Sequence, residues 1–85
     1  MKALELANGD RALVLETDGD RVTLFARAAA PPGSTLAARL NGAAVSVKVR
    51  GSRKVEPDAD GRCFRIEGRF VGLSRALRQA LLGDD

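Results

Sequence analysis

FRIEGRFVGLSRALRQALLG, running from Phe64 to Gly83, changes its periodicity part-way along. Phe64, Ile66 and Phe70 share one side of an extended chain, and Arg65, Glu67 and Arg69 take the other. Further on, the apolar residues Leu77, Ala80 and Leu81 recur three and four apart, as on one face of a helix. Side chains alternate across a strand and repeat every three to four residues around a helix. The segment therefore predicts a strand with one buried face, followed almost directly by an amphipathic helix over about residues 74–82. Ser74 is a suitable N-cap, because its hydroxyl can accept from the free amides of the first turn. Leu77 stands where a capping box would place Glu or Gln, and Gly83 suits the left-handed position past the helix end. So short a helix is not stable alone in water, so its apolar face is expected to dock on the domain, closing one end or covering one edge.

Upstream of this segment, turn signals divide the chain at short intervals. Asn8-Gly9-Asp10, Asp18-Gly19-Asp20, Pro31-Pro32-Gly33-Ser34, Asn41-Gly42 and Pro57-Asp58-Ala59-Asp60-Gly61 are the turns, with Asp-Gly a strong short-hairpin signal. Between them lie strand-like runs at Ala3 to Leu6, Arg11 to Thr17, Arg21 to Arg27, Thr35 to Leu40, Val45 to Val55 and Cys63 to Val71. Val22, Leu24 and Ala26 read as inward, as do Leu36, Ala38 and Leu40, and Val45, Val47 and Val49, with a bend expected at Gly51. Six short strands with tight turns predict a mainly β domain, a small six-stranded antiparallel β-barrel with a short C-terminal α-helix. Closure is favoured because it removes exposed strand edges.

The 85 residues make one domain, 1–85, and its core must be small, because large apolar side chains are few: three Phe, one Met, and otherwise Leu, Val, Ile and many Ala. A single cysteine, Cys63, excludes an internal disulfide and fits a reducing compartment. The opening MKALELANGD has no apolar signal region, and no window approaches membrane-spanning length. The expectation is a soluble, cytoplasmic protein.

The chemistry of an enzyme is missing from the composition. There is no histidine, the commonest general base and metal ligand. Cys63 has no histidine to stabilise a thiolate and reads as a half-buried apolar residue. Glu56, Asp58 and Asp60 lack the spacing of a calcium loop and read as a solvated turn. The glycines are scattered at turns, without a phosphate-cradling loop. No catalytic residue, cofactor or metal is expected.

Charge is arranged more tellingly than the net value of +3 implies. If the apolar alternation faces inward, the outward positions are Arg21, Thr23, Phe25 and Arg27, then Arg39, then Ser46, Lys48 and Arg50, then Arg65, Glu67 and Arg69. Seven of these are basic and one is acidic. Most of the other acids collect in turns and at the C-terminus, at Asp10, Asp18, Asp20, Glu56, Asp58, Asp60, Asp84 and Asp85. An electropositive barrel face with an acidic rim would follow, although outward residues of a barrel point in all directions. Phe25 is placed outward or under the helix, while Phe64 and Phe70 read as core. There is no Tyr or Trp to form stacking platforms, which counts against single-strand binding and leaves phosphate-backbone binding open.

The segment PPGSTLAARLNGAAVSVKVRGSRKVEPDADGRCFRIEGRFVGLSRALRQALL, Pro31 to Leu82, resembles the second half of a PilZ domain. Pro32-Gly33-Ser34 matches the turn that leads into a strand, Val45 to Val55 and Arg62 to Phe70 match the strand pair, and Phe70-Val71-Gly72-Leu73-Ser74 matches the step into the C-terminal helix. The resemblance implies a six-stranded antiparallel barrel with a C-terminal helix. In that family it also implies binding of cyclic di-GMP through Arg-x-x-x-Arg near the N-terminus and a following Asp/Asn-x-Ser-x-x-Gly. Neither motif stands in place here: the corresponding region reads Leu15-Glu16-Thr17-Asp18-Gly19-Asp20, and the Arg65 and Arg69 spacing falls inside the last strand. The resemblance therefore implies a shortened, degenerate PilZ relative, a non-catalytic regulatory or protein-interaction module in bacterial signalling, with a protein partner. Two alternatives stay open. One is a cyclic dinucleotide receptor with a rearranged basic site at Arg65 and Arg69. The other is a nucleic-acid-binding small barrel that places Arg21, Arg27, Lys48 and Arg50 on phosphates.

Overall fold

The computed structural model describes residues 2–82. Six strands and one helix follow in order: β1 (Ala3–Leu6), β2 (Arg11–Thr17), β3 (Arg21–Ala26), β4 (Thr35–Leu40), β5 (Ala43–Lys54), β6 (Phe64–Val71) and α1 (Arg75–Leu82). The strands form one closed antiparallel barrel in the order β1-β2-β3-β6-β5-β4. Closure between β1 and β4 is brief, at Glu5 opposite Arg39 and Leu6 opposite Ala38. The expected fold class is the one observed, and element bounds differ from those read in the sequence by a residue or two. Gly83 lies outside the described residues.

Local chemistry explains the turns. Asn41 (φ 53°) and Gly42 (φ 84°) both adopt the left-handed backbone that the tight β4–β5 hairpin requires. In the β2–β3 turn the Asp18 carboxylate accepts from the amides of Asp20 (2.9 Å) and Arg21 (2.8 Å). Those two bonds, Asp20 first and then Arg21, hold the Asp18 carboxyl below its ordinary range.

The core follows the alternation. Leu4, Ala12, Val14, Val22, Leu24, Ala26, Ala38, Leu40, Val45, Val47, Val49 and Ile66 are buried inside the barrel. On β6 the inward side is continued by a buried glycine, Gly68, between Ile66 and Phe70. Phe70 is half-buried and packs on the core, whereas Phe64, read as core, is half-buried at the strand's start and outside that cluster. The helix closes the end of the barrel that carries the β2–β3 turn. Its Leu81 joins the core and Leu77 packs against it, while Arg78 pairs with Asp20 at 3.0 Å. Ser74 caps the helix as expected, its hydroxyl accepting from the Leu77 amide at 3.2 Å.

The opposite end is closed differently, by a contact that the sequence reading did not foresee. Asp58, half-buried, and Asp60, exposed, lie in a largely solvated turn, as expected. They hold Arg62, which is only 8% exposed and, among the described residues, is the one buried charged side chain. The Arg62 guanidinium donates to Asp58 at 3.2 Å and to Asp60 at 2.9 Å, and its Nε donates to the Arg11 carbonyl at 3.2 Å. Asp58 also accepts from the Arg62 and Asp60 amides, both at 2.9 Å. The charge is thus paired with two carboxylates and hydrogen-bonded through Nε and one Nη at the barrel mouth, and pairing of this kind is what burying an ion requires.

A pH dependence follows. Burial pushes the Asp58 carboxyl up, but the Arg62 amide and guanidinium and the Asp60 amide outweigh it and hold the group below its ordinary range. Asp18 is shifted the same way. A carboxyl with a depressed folded-state pKa adds stability above its unfolded pKa, about 3.9, and loses it as pH falls through the folded value. The urea midpoint is therefore expected to be flat near neutrality and to fall below about pH 4. Asp58→Asn should shallow that fall; an unchanged acid slope would show that the Arg62 latch does not contribute.

Candidate functional site

Strand order decides which basic residues meet. β3, β6 and β5 are neighbours, with Arg21 opposite Arg69 and Arg69 opposite Lys48. Three cations thus stand in one row across three strands, spanning about 10 Å at the usual strand spacing. All three are exposed.

The second part of the face depends on a bulge. The β5–β6 register shifts between Val49 and Gly51, leaving Arg50 as the extra residue. This is the bend expected at Gly51, and it changes the phase of the strand. Lys48 before the bulge and Arg53 after it are an odd number of residues apart, so a regular strand would send them to opposite sides. The bulge leaves both in register with outward residues of β6, Lys48 opposite Arg69 and Arg53 opposite Arg65. Phe25 extends the latter row on β3, opposite Arg65 and with Leu13 on its other side. It is therefore on the outer face and not under the helix, which sits at the far end.

Of the six residues singled out in the sequence, Arg21, Lys48, Arg50, Arg65 and Arg69 lie on this face. Arg27 does not: it follows β3 at the end of the barrel and faces Asp10 at 3.9 Å. Arg53 was missed, because nothing in the alternation of Val45, Val47 and Val49 announces the change of phase. Glycine next to the run was the available signal, since Gly in a strand often marks a bulge.

Electrostatically the face is self-repelling. Arg21 and Arg69, Arg69 and Lys48, and Arg65 and Arg53 are three like-charge pairs directly opposite each other on adjacent strands. Such pairs destabilise a sheet. Among the described residues none of these cations takes part in an ion pair within 4.0 Å, the ion pairs being those of Arg27, Arg62 and Arg78. Glu67 is the acid on the face, opposite Thr23 and Gly51. A groove of about 420 Å³ runs beside the first row, lined by Lys48, Arg50 and Arg69 with Phe70 and Val71. A larger groove of about 640 Å³ lies over the β1–β4 seam, but there Glu5 offsets Arg11 and Arg39 among small apolar residues.

The geometry defines a small closed barrel with a predominantly cationic face. No protein-family model matches the chain, and comparison with curated proteins and with solved structures returns no match. Among the described residues no helix is long and apolar enough to cross a membrane, and no three His, Cys, Asp or Glu side chains are grouped to hold a metal ion.

Proposed function

We propose that this chain is a non-catalytic binding module, a shortened PilZ-like barrel, that engages an anionic partner through the outer face of β3, β6 and β5. The observation that carries the reading is the row Arg21–Arg69–Lys48, where like charges face one another with no acid between them. A fold that tolerates this repulsion gains from an anion that relieves it. The closed six-stranded barrel with its C-terminal helix is the fold that the PilZ resemblance implies, and the regulatory role in bacterial signalling rests on that resemblance alone.

Binding of cyclic di-GMP is not the favoured role. The region that would carry the second family motif, Leu15 to Asp20, ends in the β2–β3 turn, where Asp18 and Asp20 are exposed and the helix side chains of Arg78 and Leu82 approach Gly19. Calorimetric titration separates the readings. Inorganic polyphosphate at low salt is expected to bind the protein and to lose its heat with Lys48→Gln/Arg69→Gln; no binding by the unaltered chain would overturn the proposal. Cyclic di-GMP is expected to give no heat at low micromolar concentration. Binding there, abolished by Arg65→Ala/Arg69→Ala, would establish the receptor role instead.

A further inference from the structure

We infer that the partner of this face is the phosphate backbone of a nucleic-acid duplex, bound without regard to base sequence; the inference rests on the anion-binding reading above. The layout of charge comes first. Arg21, Arg69, Lys48 and Arg50 form one cluster, and Arg65 with Arg53 forms a second, four residues further along β6. At about 3.3 Å per residue the two lie about 13 Å apart along the strands. This is a strip, longer than it is wide, with one acid in its middle. The barrel's own carboxylates do not neutralise it, because Asp10, Asp20, Asp58 and Asp60 are held at the two ends by Arg27, Arg78 and Arg62.

The class of polyanion follows from what the strip lacks. Interfaces between proteins deplete charge at their centre and enrich aromatic residues there. Interfaces with nucleic acid are polar and strongly positive. The middle of this strip is polar, Glu67 beside Thr23 and Gly51, with Arg69, Lys48 and Arg50 on one side of it and Arg65 and Arg53 on the other, and the one large exposed apolar side chain bordering it is Val71, at the edge. Five of the six cations are arginines, whose forked guanidinium matches a phosphate oxygen pair. Single strands are held by successive bases stacking on aromatic platforms. Here Phe70 faces inward and Phe25 is a lone half-buried ring in the second row, so the strip suits a duplex backbone, whose phosphates are read without unstacking.

The test is fluorescence anisotropy of the full chain with labelled duplexes of two unrelated sequences across a salt series. Both duplexes are expected to bind alike, with log K falling against log salt at a slope of about −3.6 for four neutralised phosphates. Arg69→Gln, an exposed change that leaves the core untouched, should reduce that slope by about 0.9. Glu67→Gln should tighten binding. Polyglutamate bound as tightly as duplex, or polyphosphate bound with no affinity for duplex, would overturn the nucleic-acid assignment while leaving the anion-binding reading in place. Single strands bound more tightly than duplex would overturn the duplex assignment. Failure to bind any of these polyanions would remove both.

Discussion

Gly68→Ala is expected to lower the unfolding temperature by about 15 °C, from an overpacking cost of about 3 kcal/mol in a domain of this size. Gly68 lies on the inward side of β6, opposite Val22 on β3 and Val49 on β5. A Cβ there would stand 2.5 Å from the Lys48 carbonyl oxygen and 2.9 Å from a Val47 methyl group. The first of these is backbone, so no rotamer change relieves it. To admit a methyl group, β5 must move away from β6 beside the bulge at Arg50. Gly51, on the neighbouring strand, is the control: a Cβ there meets nothing within 4 Å. Gly51→Ala should leave the thermal melt within about 0.5 kcal/mol of the parent. Equal effects at the two glycines would contradict the account of how β5 and β6 approach.

The second large effect is on binding. Arg21→Glu/Lys48→Glu/Arg69→Glu is expected to weaken polyanion binding by about 1000-fold at low salt, at roughly 1.5 kcal/mol for each charge-assisted hydrogen bond to phosphate that the change removes. All three side chains are exposed, so circular dichroism should show an intact barrel. Arg39→Glu removes a cation from the other side of the barrel, on β4 opposite Glu5, and should change binding little. If Arg39→Glu weakened binding as much as the triple change, net charge would be the cause and the face would lose its meaning.

The sequence was a good guide to the elements and a poor one to their meeting. Strands, turns and helix were legible because each is a local pattern: alternation at Val22, Leu24 and Ala26, left-handed turn residues at Asn41-Gly42, and the Leu77/Ala80/Leu81 face behind the Ser74 cap. The row Arg21–Arg69–Lys48 was not, because it depends on β6 lying between β3 and β5, a pairing between segments far apart in the chain. Arg53 required the bulge at Arg50 to be known. Arg62 is the reverse case. Arginine is almost never fully buried unless paired, and its partners Asp58 and Asp60 read as a solvated turn, which they largely are, with no local sign of the cation they hold. What identifies them is the closure of the barrel mouth, seen when Arg62 reaches the Arg11 carbonyl.

On the proposed reading, the barrel holds the row Arg21–Arg69–Lys48 against its own stability because an anionic partner relieves the repulsion. The most direct measurement is the unfolding temperature of Arg21→Gln/Lys48→Gln/Arg69→Gln and of the parent, from low to high sodium chloride, with Arg39→Gln alongside. At low salt the triple variant is expected to melt about 4 °C above the parent, from removal of two like-charge pairs that cost roughly 0.2–1 kcal/mol each. The difference should shrink toward zero near 1 M salt, where charges are screened within about 3 Å. Arg39→Gln, which removes an attraction to Glu5, should not raise the melt. A triple variant that melts at or below the parent at low salt would contradict the claim.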